Sequence, residues 1–149
     1  MISEQSVFPY KYSETRIYLL DSGSELAFCG YLEHAAGNRF WRFDSTLEML
    51  ALHERLFDEI GYPQNSCKLR KLNENINLCK CSDVSYSAES IPISAETKPA
   101  FVINVMYRQN ASWQGTVQSG SCGTIKHFRS TLELLRMMDS VISNVDRWV

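Results

Sequence analysis

Cysteine and histidine are the residues of this chain whose spacing could support covalent catalysis. Two cysteines are each followed by a histidine five positions later, Cys29 by His34 and Cys122 by His127. A thiol beside an imidazole base is the arrangement of a nucleophilic cysteine hydrolase. The two pairs do not fall at matching places in the internal repeat described below, so their shared spacing is a coincidence. We predict no catalytic dyad from them.

A second cysteine group could bind a metal ion. Cys79 and Cys81 flank one lysine, and Cys67 lies twelve residues before Cys79. Structural zinc takes four ligands, usually from two closely spaced pairs. A second pair and a neighbouring histidine are both missing here, so the pattern favours free thiols. The glycine-rich motifs of nucleotide-binding proteins and the nucleophile elbow of hydrolases are also absent from the sequence. We therefore expect a non-enzymatic protein with no metal and no cofactor.

Composition indicates an ordinary globular protein. The 149 residues are 44% hydrophobic and 21% charged, with a net charge of −2. The first sixty residues hold five basic and ten acidic side chains, and the last fifty hold five and three. Such a small basic surplus is far below the stripe of a typical nucleic-acid binder. The polar opening stretch and the lack of a long apolar run predict a cytoplasmic protein with reduced thiols and no membrane segment.

The sequence repeats itself at an offset of 85 residues. Gly30 then falls on Gly115, Phe43 on Phe128, and the tetrapeptide Ser-Thr-Leu-Glu at 45–48 on the same tetrapeptide at 130–133. Most substitutions between these anchors conserve residue type, as in the pairs Ile17/Val102, Leu20/Val105, Leu32/Val117, Leu52/Met137 and Leu56/Val141. A match kept over about forty positions without a gap indicates an internal duplication.

Each copy has the pattern of three strands and a helix. Apolar residues alternate in 16–21, 27–34 and 39–43, and again in 101–107, 113–117 and 124–128, which predicts strands. The Ser-Thr-Leu-Glu segments are capping boxes, with a serine at the N-cap and a glutamate three residues later. The helices that follow should run to about 60, where Gly61 ends the first, and to about 144.

These elements predict an α+β fold, a duplicated βββα unit whose antiparallel sheet carries two helices on one face. The first repeat with its N-terminal arm covers 1–60, a linker or crossover covers 61–99, and the second repeat covers 100–149. Three strands and one helix make a thin core, so we expect the two copies to share one six-stranded sheet.

The sheet face opposite the helices is the candidate partner surface. Residues out of phase with Phe43 and Phe128 should point to that face, and many of them are apolar. A bare apolar face of this size usually marks an interface, although residues 61–99 could instead cover it. The candidate residues are Tyr18, Leu20, Tyr31, Phe40, Arg42, Val102, Met106, Gln114, Ile125 and His127.

The second copy resembles a known group of proteins. Its segments Trp113-Gln114-Gly115-Thr116-Val117 and Phe128-Arg129-Ser130-Thr131-Leu132-Glu133-Leu134-Leu135 are similar to those of small uncharacterised proteins of clostridial Firmicutes. The resemblance covers about a third of the chain and implies a bacterial, cytoplasmic protein, but it implies no activity. The βββα order also resembles three-stranded-sheet DNA-binding domains of plants and of integrases, which is an analogy of fold alone.

The sequence thus predicts a protein-binding or regulatory module that meets a protein partner or a second copy of itself. An inhibitor or an accessory subunit of a larger complex is a module of this kind. The alternative is a nucleic-acid-binding protein that uses its sheets. The few cations near the candidate surface, Arg16, Arg42, Arg108 and His127, do not decide between them.

Overall fold

The structure is a computed structural model of the chain, and it describes residues 13–20, 28–65, 85–86, 91, 93, 97–120 and 123–143. These residues form an α+β fold with a six-stranded antiparallel sheet and two helices. None of the described helices is long and apolar enough to cross a membrane.

Two successive groups of three strands and a helix make up the fold. The first group comprises β1 (Thr15–Leu19), β2 (Gly30–His34), β3 (Arg39–Phe43) and α1 (Thr46–Ile60). The second comprises β4 (Phe101–Tyr107), β5 (Gln114–Ser119), β6 (Ile125–Phe128) and α2 (Thr131–Ser143). These elements lie within a few residues of those that the alternation and the capping boxes predict.

The two groups meet in the middle of the sheet. The strand order is β3-β2-β1-β4-β5-β6, and every neighbouring pair is antiparallel. The first strands of the two groups, β1 and β4, therefore pair with each other at the centre of the sheet. The third strands, β3 and β6, lie at its two ends. Both halves thus follow the same path outward from the centre.

The register of the last two strands is the same in the two halves. Gly30 lies opposite Phe43 and Gly115 lies opposite Phe128, so an offset of 85 holds there. The offset of 85 does not hold in the first strand. Leu32 and Val117 are 85 residues apart, but their partners in the first strands, Ile17 and Ile103, are 86 residues apart. The structural counterpart of Ile17 is thus Ile103, 86 residues later.

The matches that the gapless alignment made in this strand, Ile17 with Val102 and Leu20 with Val105, are wrong by one residue. Burial agrees with the corrected register, since Ile17 and Ile103 are both fully buried and Val102 is only half-buried. Gly30 pairs with Leu19, 11 positions before it (30 − 19), whereas Gly115 pairs with Val105, 10 positions before it (115 − 105), so the chain between these paired residues is one residue shorter in the second half.

Gly30 and Gly115 mark the same close approach in each half. A Cβ atom on Gly30 would stand 1.8 Å from the carbonyl oxygen of Tyr18, and one on Gly115 would stand 1.9 Å from that of Asn104. Neither separation is sterically allowed. The second strand of each half therefore requires glycine at the position where its backbone lies closest to the first strand. Tyr18 and Asn104 are again 86 residues apart.

A single hydrophobic core joins the sheet to both helices. The sheet contributes one face, including Ile17, Leu32, Phe43, Ile103 and Phe128. The helices contribute apolar residues three or four positions apart, as a helix lying on a sheet requires; those buried in the core are Met49, Leu52, Leu56 and Phe57 of α1 and Leu134 and Met138 of α2.

Both helices begin with the predicted capping box. The hydroxyl of Ser45 accepts from the amide of Glu48 at 3.1 Å, and that of Ser130 accepts from Glu133 at 3.0 Å. In each box the glutamate also accepts from the amide preceding the serine. The first helix ends at Gly61, whose φ of 72° is the left-handed conformation that glycine adopts without strain.

Because the boxes match, Ser45→Ala and Ser130→Ala should each lower the free energy of unfolding by about 1 kcal/mol, the usual cost of losing an N-cap hydroxyl. Urea unfolding followed by circular dichroism measures both. Ser45→Thr and Ser130→Thr are the controls and should stay near the native value. If either alanine variant unfolds like the native chain, that cap contributes nothing to stability.

Candidate partner-binding site

The face opposite the helices is covered in the first half of the sheet. Tyr18, Tyr31 and Phe40 form a second buried cluster with Ile91, and the partly buried residues packed against it are Leu20, Tyr86 and Ile93. Tyr86 also exchanges two backbone hydrogen bonds with Phe40, at 2.7 and 3.0 Å, beyond the outer edge of β3. Tyr86, Ile91 and Ile93, which lie between α1 and β4 in the chain, therefore cover this part of the predicted partner surface.

Polar groups beneath this cover are satisfied within the chain. The hydroxyl of Tyr18 donates to Glu33 at 2.9 Å, and Arg16 lies 3.7 Å from the same carboxylate. Burial, together with the hydrogen bond and charge of Glu33, raises the pKa of Tyr18 to about 12. Tyr18 is therefore a neutral donor at any physiological pH, and its role here is structural.

The other candidate residues differ in accessibility. Val102, Met106 and Gln114 are half-buried, whereas Arg42, Ile125 and His127 are exposed. Arg42 is paired with Asp44 at 3.2 Å. Ile125 and His127 lie on β6, at the opposite end of the sheet from Tyr86, so the accessible apolar part of the predicted surface is at this edge.

The helix side of the sheet differs between the two edge strands. In the first half, Trp41 of β3 lies opposite Leu32 and is buried in the same cluster as Leu52 and Leu56 of α1. The Arg39 guanidinium lies 4.9 Å from the centre of the Trp41 ring. The indole thus fills the space between the edge strand and its helix.

In the second half, Lys126 occupies the position that Trp41 has in the first. It lies opposite Val117, as Trp41 lies opposite Leu32. Instead of a filled core there is a cleft of about 410 Å³ between α2 and the sheet. We call this the α2–β6 cleft, and its lining residues are Phe101, Val117, Ser119, Thr124, Lys126, Met137, Ser140 and Val141.

The apolar stripe of α2 continues beyond the part that the sheet covers. Leu134 and Met138 are fully buried, but Val141, on the same stripe, is 45% exposed. Its counterpart on α1, Leu56, is 2% exposed. Trp41 lies in the same buried cluster as Leu56, whereas the corresponding position of β6 holds Lys126, which is exposed. Two further large apolar side chains of α2, Leu132 and Ile142, are exposed as well.

The charge of Lys126 is not neutralised within the described part of the chain. None of the carboxylates placed there forms an ion pair with it. The α2–β6 cleft is therefore an apolar surface with one cation and a few hydroxyl groups at its border. Such a surface can bind an apolar group, and it favours one that carries a negative charge nearby.

A separate polar network surrounds Arg108, whose side chain is buried. Its Nε donates to the carbonyl of Pro63 at 2.6 Å, and its Nη1 lies 2.9 Å from Glu54 and 3.0 Å from Asp58. The guanidinium also lies 5.5 Å from the centre of the Phe57 ring. Arg108 therefore ties the end of β4 to α1 and to the segment after it.

Trp113 joins this network by donating its indole N–H to Glu54. Two cavities, of about 450 and 220 Å³, are both lined by Asn65 and Arg108. Because the Arg108 guanidinium is already bound by two carboxylates and a carbonyl, we assign these groups to holding the fold together.

His53 is a core residue. Its Nδ1 lies 2.8 Å from the carbonyl of Met49, and its Nε2 lies 2.8 Å from the hydroxyl of Thr15. A carbonyl can only accept, so Nδ1 carries the proton and Nε2 accepts from Thr15. Burial lowers the pKa of His53 to about 4, which keeps the ring neutral.

Among the described residues, no cluster of three or more histidine, cysteine or carboxylate side chains is placed so that it could hold a metal ion. Cys67, Cys79 and Cys81 lie outside the described residues, so the prediction of free thiols stays a prediction. Cys122 lies outside them too.

Comparison of the chain with models of protein families, with curated proteins and with solved structures finds no match. The site therefore has to be interpreted from its own geometry. Sequence reasoning pointed to the face opposite the helices and missed the α2–β6 cleft. The signal was available, because the offset of 85 residues aligns Trp41 with Lys126 and Leu56 with Val141.

Proposed function

We propose that this protein is a non-enzymatic protein-binding module whose binding surface is the edge formed by β6 and α2. The observation that carries the proposal is the contrast between the two halves. The first half buries Trp41 and Leu56, and the second leaves Val141 exposed beside the α2–β6 cleft. An incompletely covered apolar stripe of this kind is typical of a surface that another protein covers.

Three further exposed apolar residues lie on the two elements of this edge, α2 and β6. Leu132 and Ile142 lie on α2, and Ile125 lies on β6 with 60% of its area exposed. Ile125 and His127 also belong to the partner surface expected from the sequence. They flank Lys126 along the strand, so a partner seated at this edge could contact both faces of β6.

We also infer that the two halves arose by duplication of a βββα unit. Three features support this inference. Both helices begin with a Ser-Thr-Leu-Glu capping box, both second strands have a glycine at the same close approach to the first strand, and the strands of both halves follow the same order outward from the centre of the sheet. On this view the two helix–sheet clefts began alike, and the loss of tryptophan at the second made it available for binding.

Binding through this edge predicts a large effect of one substitution. Val141→Glu should weaken the complex with the partner at least about tenfold, because the loss of a hot-spot contact near the centre of an interface costs about 2 kcal/mol or more, and about 1.4 kcal/mol corresponds to a factor of ten. The partner is first identified by its stoichiometric co-purification with the native chain. The affinity is then measured by calorimetry with both proteins purified.

Leu47→Glu is the matched control, since Leu47 is an exposed leucine of α1 that lines no part of the cleft. It should bind like the native chain. Equal losses in the two variants would place the interface elsewhere, and a marked drop in the melting temperature of Val141→Glu alone would show that this residue belongs to the core.

Nucleic-acid binding has less support, because the described arginines are engaged within the chain. Five of them, Arg16, Arg39, Arg42, Arg108 and Arg129, form ion pairs with carboxylates, and Arg16 and Arg108 each contact two. Arginines neutralised in this way attract phosphates weakly.

 The hydrogen bond from Arg129, with smaller contributions from the charges of Arg129 and Arg136, holds the pKa of the Glu133 carboxyl below its usual range.

We therefore expect only non-specific affinity for duplex DNA, with a Kd of about 10⁻⁴ to 10⁻⁶ M at physiological salt. Fluorescence anisotropy with a labelled duplex of random sequence measures it, and a salt series shows whether the binding is purely electrostatic. Nanomolar binding to one defined sequence would favour the nucleic-acid alternative over the protein-binding one.

A further inference from the structure

We propose that the α2–β6 cleft receives an aromatic side chain of a partner protein, with a carboxylate of the same partner segment paired to Lys126. This inference rests on the proposed function and specifies the chemistry of the group that enters the site.

The first half of the fold shows what fits such a cleft. There the Trp41 indole lies against β2 and α1, in one cluster with Leu32, Leu52 and Leu56. The corresponding residues of the second half, Val117, Met137 and Val141, line the α2–β6 cleft. These wall residues are thus apolar in both halves, and among the described residues of the second half no aromatic side chain occupies the register position of Trp41.

The shape of the second site suits an aromatic group from outside. Lys126 extends from the same register position as Trp41, but its flexible stem cannot fill the width of an indole. The adjacent methionine, Met137, can adapt to a ring because its unbranched side chain adjusts to irregular shapes. A planar ring therefore gains contact with the cleft walls at a small cost in conformational entropy.

The positive charge of Lys126 beside the cleft predicts which residue type lies next to the aromatic ring in the partner segment. In the first half the cation over the indole is Arg39, which is itself paired with Glu59 at 2.9 Å. In the second half, position 124 is a threonine and the cation is Lys126, which has no ion pair in the described part of the chain. An acidic residue next to the incoming ring would supply the missing carboxylate, and the ammonium could also lie over the ring.

The test uses three short peptides and the full chain with labelled methyl groups. Acetyl-Glu-Trp-Glu-amide should shift the methyl resonances of Met137 and Val141 in a saturable way, while methyl groups of α1 such as those of Leu47 stay in place. Acetyl-Glu-Ala-Glu-amide should cause no shift, because it lacks the ring. Acetyl-Lys-Trp-Lys-amide should bind about threefold more weakly or worse, as expected for loss of an exposed ion pair.

Two variants at position 126 separate the contributions. Lys126→Gln should remove the preference for the acidic peptide and keep the binding of the ring. Lys126→Trp should fill the cleft as Trp41 does, shift the Val141 resonance without any peptide, and abolish peptide binding while circular dichroism stays native. A Lys126→Trp chain that folds and still binds the acidic peptide at Met137 would overturn the proposal.

Other occupants give different results, and each would also overturn it. If Trp148→Ala shifts the Met137 and Val141 resonances before any peptide is added, the chain's own residues 144–149, which lie outside the described residues, fill the cleft. If light scattering shows a dimer that Lys126→Trp dissociates, the occupant is a second copy. If Val141→Glu disrupts the complex with the partner but none of the three peptides binds the cleft or displaces the partner, the proposed function stands and only the aromatic occupant is refuted.

Discussion

Replacing Arg108 by methionine should lower the free energy of unfolding by about 3 kcal/mol. The guanidinium is buried, and its loss leaves the carbonyl of Pro63 and part of the Glu54 carboxylate without their donor. Removing one partner of a buried ion pair typically costs about 3 to 5 kcal/mol. Glu54 and Asp58 are partly exposed and can regain water, so the lower end of that range applies. Urea unfolding monitored by tryptophan fluorescence measures the change.

Two other variants show whether burial is the cause. Arg42→Met removes an exposed ion pair with Asp44 and should change stability by less than about 0.5 kcal/mol. Glu54→Gln keeps an acceptor for the indole of Trp113 and leaves Arg108 its contacts with Asp58 and Pro63, so its effect should be intermediate. A loss for Arg108→Met no larger than that for Arg42→Met would mean that the network contributes little to stability.

Stability should fall as the pH is lowered from 6.5 to 4, and His53 should account for about 3 kcal/mol of the fall. Burial lowers the pKa of His53 from 6.5 to about 4 in the folded protein. Between these values the unfolded chain binds a proton that the folded chain does not, so acidification favours unfolding. The contribution is complete above pH 6.5 and is lost as the pH falls to 4, at about 1.4 kcal/mol for each unit between the two pKa values.

Unfolding experiments at half-unit pH intervals test this dependence. Carboxylates also titrate in this range, so the measurement is the difference between the native chain and His53→Gln. Glutamine can still accept from Thr15 but does not titrate. The variant should therefore be less stable than the native chain at pH 7 and lose about 3 kcal/mol less on acidification. Parallel pH profiles for the two proteins would show that His53 is not the buried neutral group described.

Local signals made much of the fold predictable. The capping boxes, the glycine after the first helix and the alternation of apolar residues depend on neighbours in sequence, and the elements they predict are present. The error in the first strand has a simple cause, since an alignment without gaps cannot detect a connection that is one residue shorter. The strand pairing shows it through Ile17 and Ile103.

The candidate site was less predictable because it depends on contacts between distant residues. The polar composition of residues 61–99 gave no sign that Ile91 and Tyr86 would cover Tyr18, Tyr31 and Phe40. Arg108 and Glu54 are likewise joined across 54 positions of the chain. The cleft lies where Lys126 takes the register position of Trp41, and the sequence alone does not show that α2 lies beside this position.

Photo-crosslinking at position 141 is the most direct test of the central claim that the second half presents an open binding surface. Benzoylphenylalanine is placed at Val141 or, as the control, at Leu47, and the cells that naturally make the protein are irradiated. We expect one discrete adduct with one protein at position 141, none at position 47, and loss of the adduct when Lys126→Trp fills the cleft. No adduct at 141, or the same adducts at both positions, would contradict the account.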